Sequence, residues 1–96
     1  MKQGQGIARR CLVSGRVQGV YYRASARDRA RSVGVLGYAR NLPDGRVEIL
    51  ACGSEGAVLS FIDWLWQGPS AARVEAVAVE ALELAGADWP QDFKTG

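Results

Sequence analysis

Nine residues and one amide carry the chemistry that this sequence can offer. Gly15-Arg16-Val17-Gln18-Gly19-Val20-Tyr21-Tyr22-Arg23 joins a strand-like run to a helix-like run, with two glycines four positions apart. A short glycine-containing loop can turn successive backbone N–H groups onto one anion. Arg23 stands where the following helix begins, and helix-start amides also favour negative charge. Loop and arginine together could therefore hold a phosphoryl group. The same residues also read as a tight strand-to-helix turn followed by a solvated arginine.

Asn41 is the second element of the pattern. It ends a strand-like run just before a turn, Pro43-Asp44-Gly45. A carboxamide can accept from a water and donate to an oxyanion at once. It can equally be an asparagine closing a hairpin. The chain has no histidine, which removes Ser-His-Asp and Cys-His catalysis and the usual mixed zinc sites. Chemistry based on Arg23 and Asn41 is then electrostatic and positional, without a strong base. Attack of a held water on a phosphoryl group fits, provided the leaving group needs no proton. A carboxylate meets that condition, so an acyl phosphate suits these residues better than an ordinary phosphomonoester. Asp28 and Asp44 are candidate bases, but read more simply as a solvent residue and a turn residue.

The elements that must position these groups follow from periodicity. Residues 7–14 read as a strand, with Ile7, Cys11 and Val13 on one parity. Tyr22, Ala26, Ala30 and Val33 share one face of a helix over 22–33, and Gly34 is its natural stop. Residues 35–42 and 46–52 form two strands around the Pro-Asp-Gly turn, with Val47, Ile49 and Ala51 as the apolar face of the second. Ser54 is an N-cap for a second helix whose core stripe is Val58, Phe61, Ile62 and Leu65. Trp64 and Trp66 flank that stripe and read as packing residues. Gly68-Pro69 ends the helix. Residues 73–84 are strand-like, but Val77 and Val79 conflict in parity with Val74, Leu82 and Leu84, which predicts a bulge or an early end. Only Phe93 anchors the tail, so any last strand must be short.

The order strand-helix-strand-strand-helix-strand is the split βαβ pattern. It predicts an α+β, ferredoxin-like βαββαβ sandwich, two helices packed on one face of an antiparallel sheet, with strands 1 and 3 central. Strands 1 and 2 then run parallel, so the exit of one (the glycine loop) and the exit of the other (Asn41) lie at the same end of the sheet.

Composition sets the frame. With 96 residues, 48% of them hydrophobic, the chain supports one domain over 7–96 with a core of its own. Residues 1–6 read as a flexible polar arm. No apolar run reaches membrane-spanning length and no signal-peptide pattern is present, so a cytoplasmic protein is expected. Net charge is +2, too small to argue for nucleic acid. A strand at 46–52 without aromatics also lacks the stacking pair of an RNA-binding sheet. The charge is unevenly spread: residues 1–48 carry a balance of +7 and residues 49–96 a balance of −5. This could focus a small anion at one end, though halves of a sequence need not be halves of a molecule. Cys11 and Cys52 lie in apolar runs and read as buried small hydrophobes, or as a disulfide if their strands are neighbours.

Gly15 to Arg23 resembles the first signature of the acylphosphatase family. Gly37-Tyr38-Ala39-Arg40-Asn41, followed by Asp44-Gly45-Arg46-Val47-Glu48, resembles the second, and the similarity covers nearly all of residues 7–84. The Gly68-Pro69 pair with Ala72 and Val74 is similar to the stretch after that family's second helix. The resemblance implies a ferredoxin-like, cofactor-free and metal-free monomer that hydrolyses small-molecule acyl phosphates. It implies a phosphate loop at Gly15, Arg16, Val17, Gln18, Gly19 and Val20, a phosphate-binding arginine at Arg23 and a water-orienting asparagine at Asn41. Tyr22 stands where the family often has Phe, and Tyr38 where Trp is frequent. Each adds a hydroxyl that needs a partner. A non-catalytic module that binds phosphate or a phosphometabolite is the alternative, since it would use the same loop.

Overall fold

A Cβ on Gly15 would land on the backbone of the neighbouring strand, and that close approach falls where the pairing of the two strands shifts register. The computed structural model describes residues 6–96. Residues 1–5 of the expected arm lie outside the described residues. The strands are β1 (Ile7–Arg16), β2 (Leu36–Asn41), β3 (Val47–Gly53), β4 (Arg73–Leu82) and β5 (Phe93–Thr95). The helices are α1 (Tyr22–Val33) and α2 (Glu55–Gln67). The sheet order is β4-β1-β3-β2-β5, with β1 and β3 central. The expected βαββαβ sandwich is thus formed. β5 adds a fifth strand that pairs in parallel with β2, while the other pairings are antiparallel.

The periodicities resolve into two layers. Tyr22, Ala26 and Ala30 of α1 and Val58, Phe61, Ile62 and Leu65 of α2 are buried. They pack on Cys11 and Val13 of β1, Ala39 of β2, Val47, Ile49 and Ala51 of β3, and Phe93 of β5. Phe61 meets Phe93 edge-on at 5.6 Å and stacks on Trp64 at 6.3 Å. Each fully buried aromatic of this kind contributes about 1.5–3 kcal/mol. Trp64 therefore serves packing, as its spacing suggests, while Trp66 is exposed. A smaller cluster on the opposite face joins Ala8, Leu50 and Cys52 with Leu82, Leu84 and Trp89.

Local signals act where the sequence puts them. Gly34 caps α1 in the left-handed region, and the Ser54 hydroxyl accepts from the amide of Ala57 at 3.2 Å. In the β2–β3 hairpin Gly45 has φ 95°, and the Asp44 carboxylate accepts from the Arg46 amide.

The parity conflict in β4 resolves as a bulge. Pairing runs Ser14 with Ala76 and then Gly15 with Val74, so Glu75 is the extra residue. Val74 and Val77 can then both face the helices, and the strand ends at Leu82, on the opposite face. Pairing with β4 also carries β1 through Arg16, two residues beyond the expected end, so Gly15 and Arg16 belong to the strand.

Cys11 pairs with Ile49, and Cys52 with Ala8, in adjacent strands. The positions differ in parity, so the two thiols lie on opposite faces of the sheet. Both are free and buried, which settles the reading in favour of small hydrophobes.

Candidate active site

The site is built from the segment between β1 and α1. Residues 17–21 form an irregular bend, in which Val17 is buried in the main core and Val20 packs against it. Those two apolar anchors hold the segment down while Gly19, at φ 75°, reverses its direction. Among the described residues, the amides of Gln18, Gly19, Val20 and Tyr21 donate to no backbone carbonyl. The first amide of α1 to find a carbonyl is that of Ser25, which donates to Tyr21 at 2.9 Å. A run of main-chain donors is therefore left for an outside acceptor.

Val17, Gly19, Tyr21, Tyr22, Arg23 and Ala24 line a pocket of about 380 Å³ beside these amides. Arg23, the second residue of α1, forms no ion pair with any described acidic side chain. Its guanidinium charge is thus not neutralised by the described residues. Tyr22 fixes the start of the helix: its hydroxyl donates to the Leu65 carbonyl at 2.6 Å, and its ring lies against Gly68 and Trp64. Burial pushes the Tyr22 phenol far above its ordinary pKa, so it stays a neutral donor. The hydroxyl that distinguishes Tyr22 from phenylalanine has its partner.

Of the sequence-predicted loop residues, Val17, Gly19 and Arg23 reach the pocket, while Gly15 and Arg16 remain in β1 and Val20 turns into the core. Gln18 faces elsewhere: its Nε2 donates to the carbonyls of Leu42 and Arg46, at 2.9 and 3.0 Å. It straps the loop to the hairpin that carries Asn41.

Asn41 is exposed at the end of β2 and is not among the residues lining the pocket. The ladder places it nonetheless. Val13 and Asn41 flank Val47 from its two sides, so Asn41 shares the helix-bearing face with Val13, Val47 and Ala39. Arg23 and Asn41 thus lie on one face and at one end of the sheet, linked by the Gln18 strap.

The opposite face of the same hairpin is pinned by Glu48. Only 4% exposed, its carboxylate accepts from Arg10 Nε at 2.6 Å and Arg40 Nε at 2.5 Å, with the Tyr38 hydroxyl at 3.4 Å. Arg40 also stacks over the Tyr38 ring, 5.3 Å from its centroid. Burial raises the Glu48 pKa, but the hydrogen bonds and charges of Arg10 and Arg40 outweigh it, so the carboxyl sits below its ordinary value. With Arg40 held on that face, strand alternation keeps Asn41 on the other. Asp44 is occupied by Arg46 and Asp28 by Arg27. Both are turned to solvent, as expected of turn and surface residues.

Sequence reasoning passed over two contributors. One is the Gln18 side chain, which straps the loop to the hairpin while its backbone amide stays among the free donors. The other is Tyr21, whose signal was the doubled Tyr21-Tyr22 at a helix start: two adjacent rings there cannot both enter the core.

The class defined by these elements is a split βαβ sandwich with a pocket of about 380 Å³ at the strand-to-helix loop. The acylphosphatase family model matches residues 9–95, and the chain belongs to that family. It is 60% identical over 77 residues to an acylphosphatase of Chromohalobacter salexigens, covering 77% of this chain and 86% of that one. It is 59% identical over 89 residues to an acylphosphatase of Xanthomonas oryzae pv. oryzae, covering 93% and 98%. The structure of an acylphosphatase from Coxiella burnetii superposes with a TM-score of 0.90 at 34% identity over 100% of both chains.

Proposed function

We propose that this protein hydrolyses acyl phosphates to a carboxylate and inorganic phosphate, with the loop amides and Arg23 as the phosphoryl cradle and Asn41 as the water holder. The observation that carries the site assignment is the row of unpaired amides beside an arginine that has no counter-ion among the described residues. Donors fixed by the backbone need no reorganisation as charge develops on the non-bridging oxygens. In an in-line displacement the cradle fixes the phosphorus, and the Asn41 carboxamide holds a water opposite the leaving oxygen. The bond from water oxygen to phosphorus forms while the bond from phosphorus to the acyl oxygen breaks. The carboxylate departs with the electron pair and needs no proton. One water proton remains on the product phosphate, and the other passes to a phosphate oxygen or to solvent.

The residues present supply this reaction without a cofactor or a metal. The same reading makes the protein a cytoplasmic monomer, which sedimentation at assay concentration tests for its oligomeric part. Among the described residues, no helix is long and apolar enough to cross a membrane.

The decisive experiment follows the ultraviolet loss of benzoyl phosphate at neutral pH. Acceleration by the wild-type chain, and its collapse in Arg23→Ala, is the expected result. Tight phosphate binding by calorimetry with no turnover would instead leave a non-catalytic binding module.

A further inference from the structure

Tyr21 presents a combination that core packing does not explain. Its side chain is 84% exposed, yet its backbone sits at φ 60° and ψ 21°, a left-handed conformation rare for a bulky residue. It holds the N-cap position of α1 without making a side-chain cap hydrogen bond. Glycine would take this backbone freely, and serine or asparagine would cap the helix. The next residue, Tyr22, is 1% exposed and bound to Leu65. The turn therefore separates two consecutive rings, one buried in the core and one left exposed beside the pocket.

Tyr21 lines the pocket with Val17, Gly19, Arg23 and Ala24, and what a tyrosine adds at that position is a largely exposed ring at the pocket's edge. If the phosphoryl group sits with Arg23 and the loop amides, its acyl substituent must extend away from them, toward the open side of the pocket. An exposed ring there offers an apolar face to that substituent. Backbone strain retained beside a pocket points to function more than to folding.

We propose that the Tyr21 ring is the acyl-side platform of the site, selecting aryl acyl phosphates over short aliphatic ones by stacking on the aryl group. This inference rests on the acyl phosphate hydrolase reading. The Tyr21 ring touches no reacting atom in it and sets specificity alone, while the Tyr21 backbone amide is kept in every variant.

The test separates binding from turnover. Benzylphosphonate and methylphosphonate, whose P–C bonds are not cleaved here, are titrated by calorimetry into wild type, Tyr21→Phe, Tyr21→Ala and Tyr21→Gly. Benzoyl and acetyl phosphate are hydrolysed in parallel. Wild type should bind benzylphosphonate on the order of three- to tenfold more tightly than methylphosphonate, the scale of one aromatic contact. Tyr21→Phe should keep that preference, and Tyr21→Ala and Tyr21→Gly should lose it. Tyr21→Gly should also melt no lower than wild type, because the backbone strain is relieved, so its lost selectivity is not lost folding. The kcat/KM ratio for benzoyl over acetyl phosphate should follow the same order. A preference that survives in both small variants overturns the proposal, as does an equal loss for both phosphonates or no preference in wild type. A Tyr21-dependent preference without turnover of either acyl phosphate supports the platform and sinks the hydrolase reading instead.

Discussion

Gln18 donates through Nε2 to the main-chain carbonyl of Leu42 at 2.9 Å, and so joins the proposed phosphate loop to the residue that follows Asn41. The two halves of the site sit in different supersecondary units, and this amide is a direct link between them. The Leu42 carbonyl also accepts from Gly45 and that of Arg46 from Leu42, so neither is orphaned when Gln18 is shortened. Gln18→Ala should therefore cost only about 0.5–1.5 kcal/mol of stability. Its kinetic effect should be larger, a fall in kcat/KM of about tenfold or more, because catalysis tolerates misplacement of about 1 Å poorly. Thermal melts beside benzoyl phosphate kinetics check the pair of effects, and parallel losses in both would refute the strap.

The proposed roles of Arg23 and Asn41 predict different kinetic signatures. Arg23→Ala removes a charge-assisted contact made in both ground and transition states, so KM should rise and kcat fall. The loss in kcat/KM should be about 10²–10³-fold, the range for removing one preorganised donor. Asn41→Ala should lower kcat with KM nearly unchanged, because the held water is not part of substrate binding. Inorganic phosphate inhibition should weaken in the first variant and persist in the second. An unchanged kcat in Asn41→Ala would remove that residue from the mechanism.

Glu48 should contribute to the acid limb of stability. Its folded-state pKa lies below the ordinary value, so its contribution is fully present above the unfolded-state pKa of about 4.3 and is lost as pH falls through the folded value. Glu48→Gln should flatten that part of the stability profile. At neutral pH it should cost about 1–3 kcal/mol, less than a fully enclosed ion pair, because Arg10 and Arg40 remain partly in water. Urea melts between pH 3 and pH 7, values chosen around the carboxylate range, would show it. An unaltered acid limb would mean that other carboxylates control it.

Gly15→Ala tests the bulge. Gly15 has φ 121°, and an added methyl would meet the Arg73 carbonyl and the Glu75 amide. The variant should lose about 2–4 kcal/mol, and hydrogen exchange should quicken first along the β1–β4 pairing beyond Ser14. Gly19→Ala has open space around its new methyl and should lose less, through its positive φ alone.

How far the sequence foretells this molecule depends on the range of the interaction. Gly34, Ser54 and the Pro43-Asp44-Gly45 turn act through their own neighbours, and each does what its chemistry predicts. The stripes of α1 and α2 reach only as far as the sheet, and Tyr22 and Phe61 are buried accordingly. The parity conflict of Val74 against Val77 announced a bulge but could not place it at Glu75, because the position depends on pairing with Ser14 and Gly15. The short apolar tail predicted a short last strand without its partner. Docking of β5 beside β2 involves the Asp92 carbonyl accepting from Gly37, and the Asp92 carboxylate accepting from Arg31 of α1. At the candidate site, residue type could nominate Arg23 and Asn41, with the turn and hairpin readings still open beside them. The inward turn of Gln18 toward Leu42 and the outward turn of Tyr21 arise from tertiary geometry that periodicity does not encode.

The two cysteines have a practical consequence. Burial pushes both thiols up to about 11, so neither is an effective nucleophile in the native fold, and each can be alkylated only when its own layer opens. Cys11 looks into the helix-packed layer and Cys52 into the opposite cluster. The chain therefore contains a pair of built-in chemical reporters, one for each side of the sheet. Their relative labelling rates would tell whether the helices lift away before the sheet comes apart, without any engineered probe.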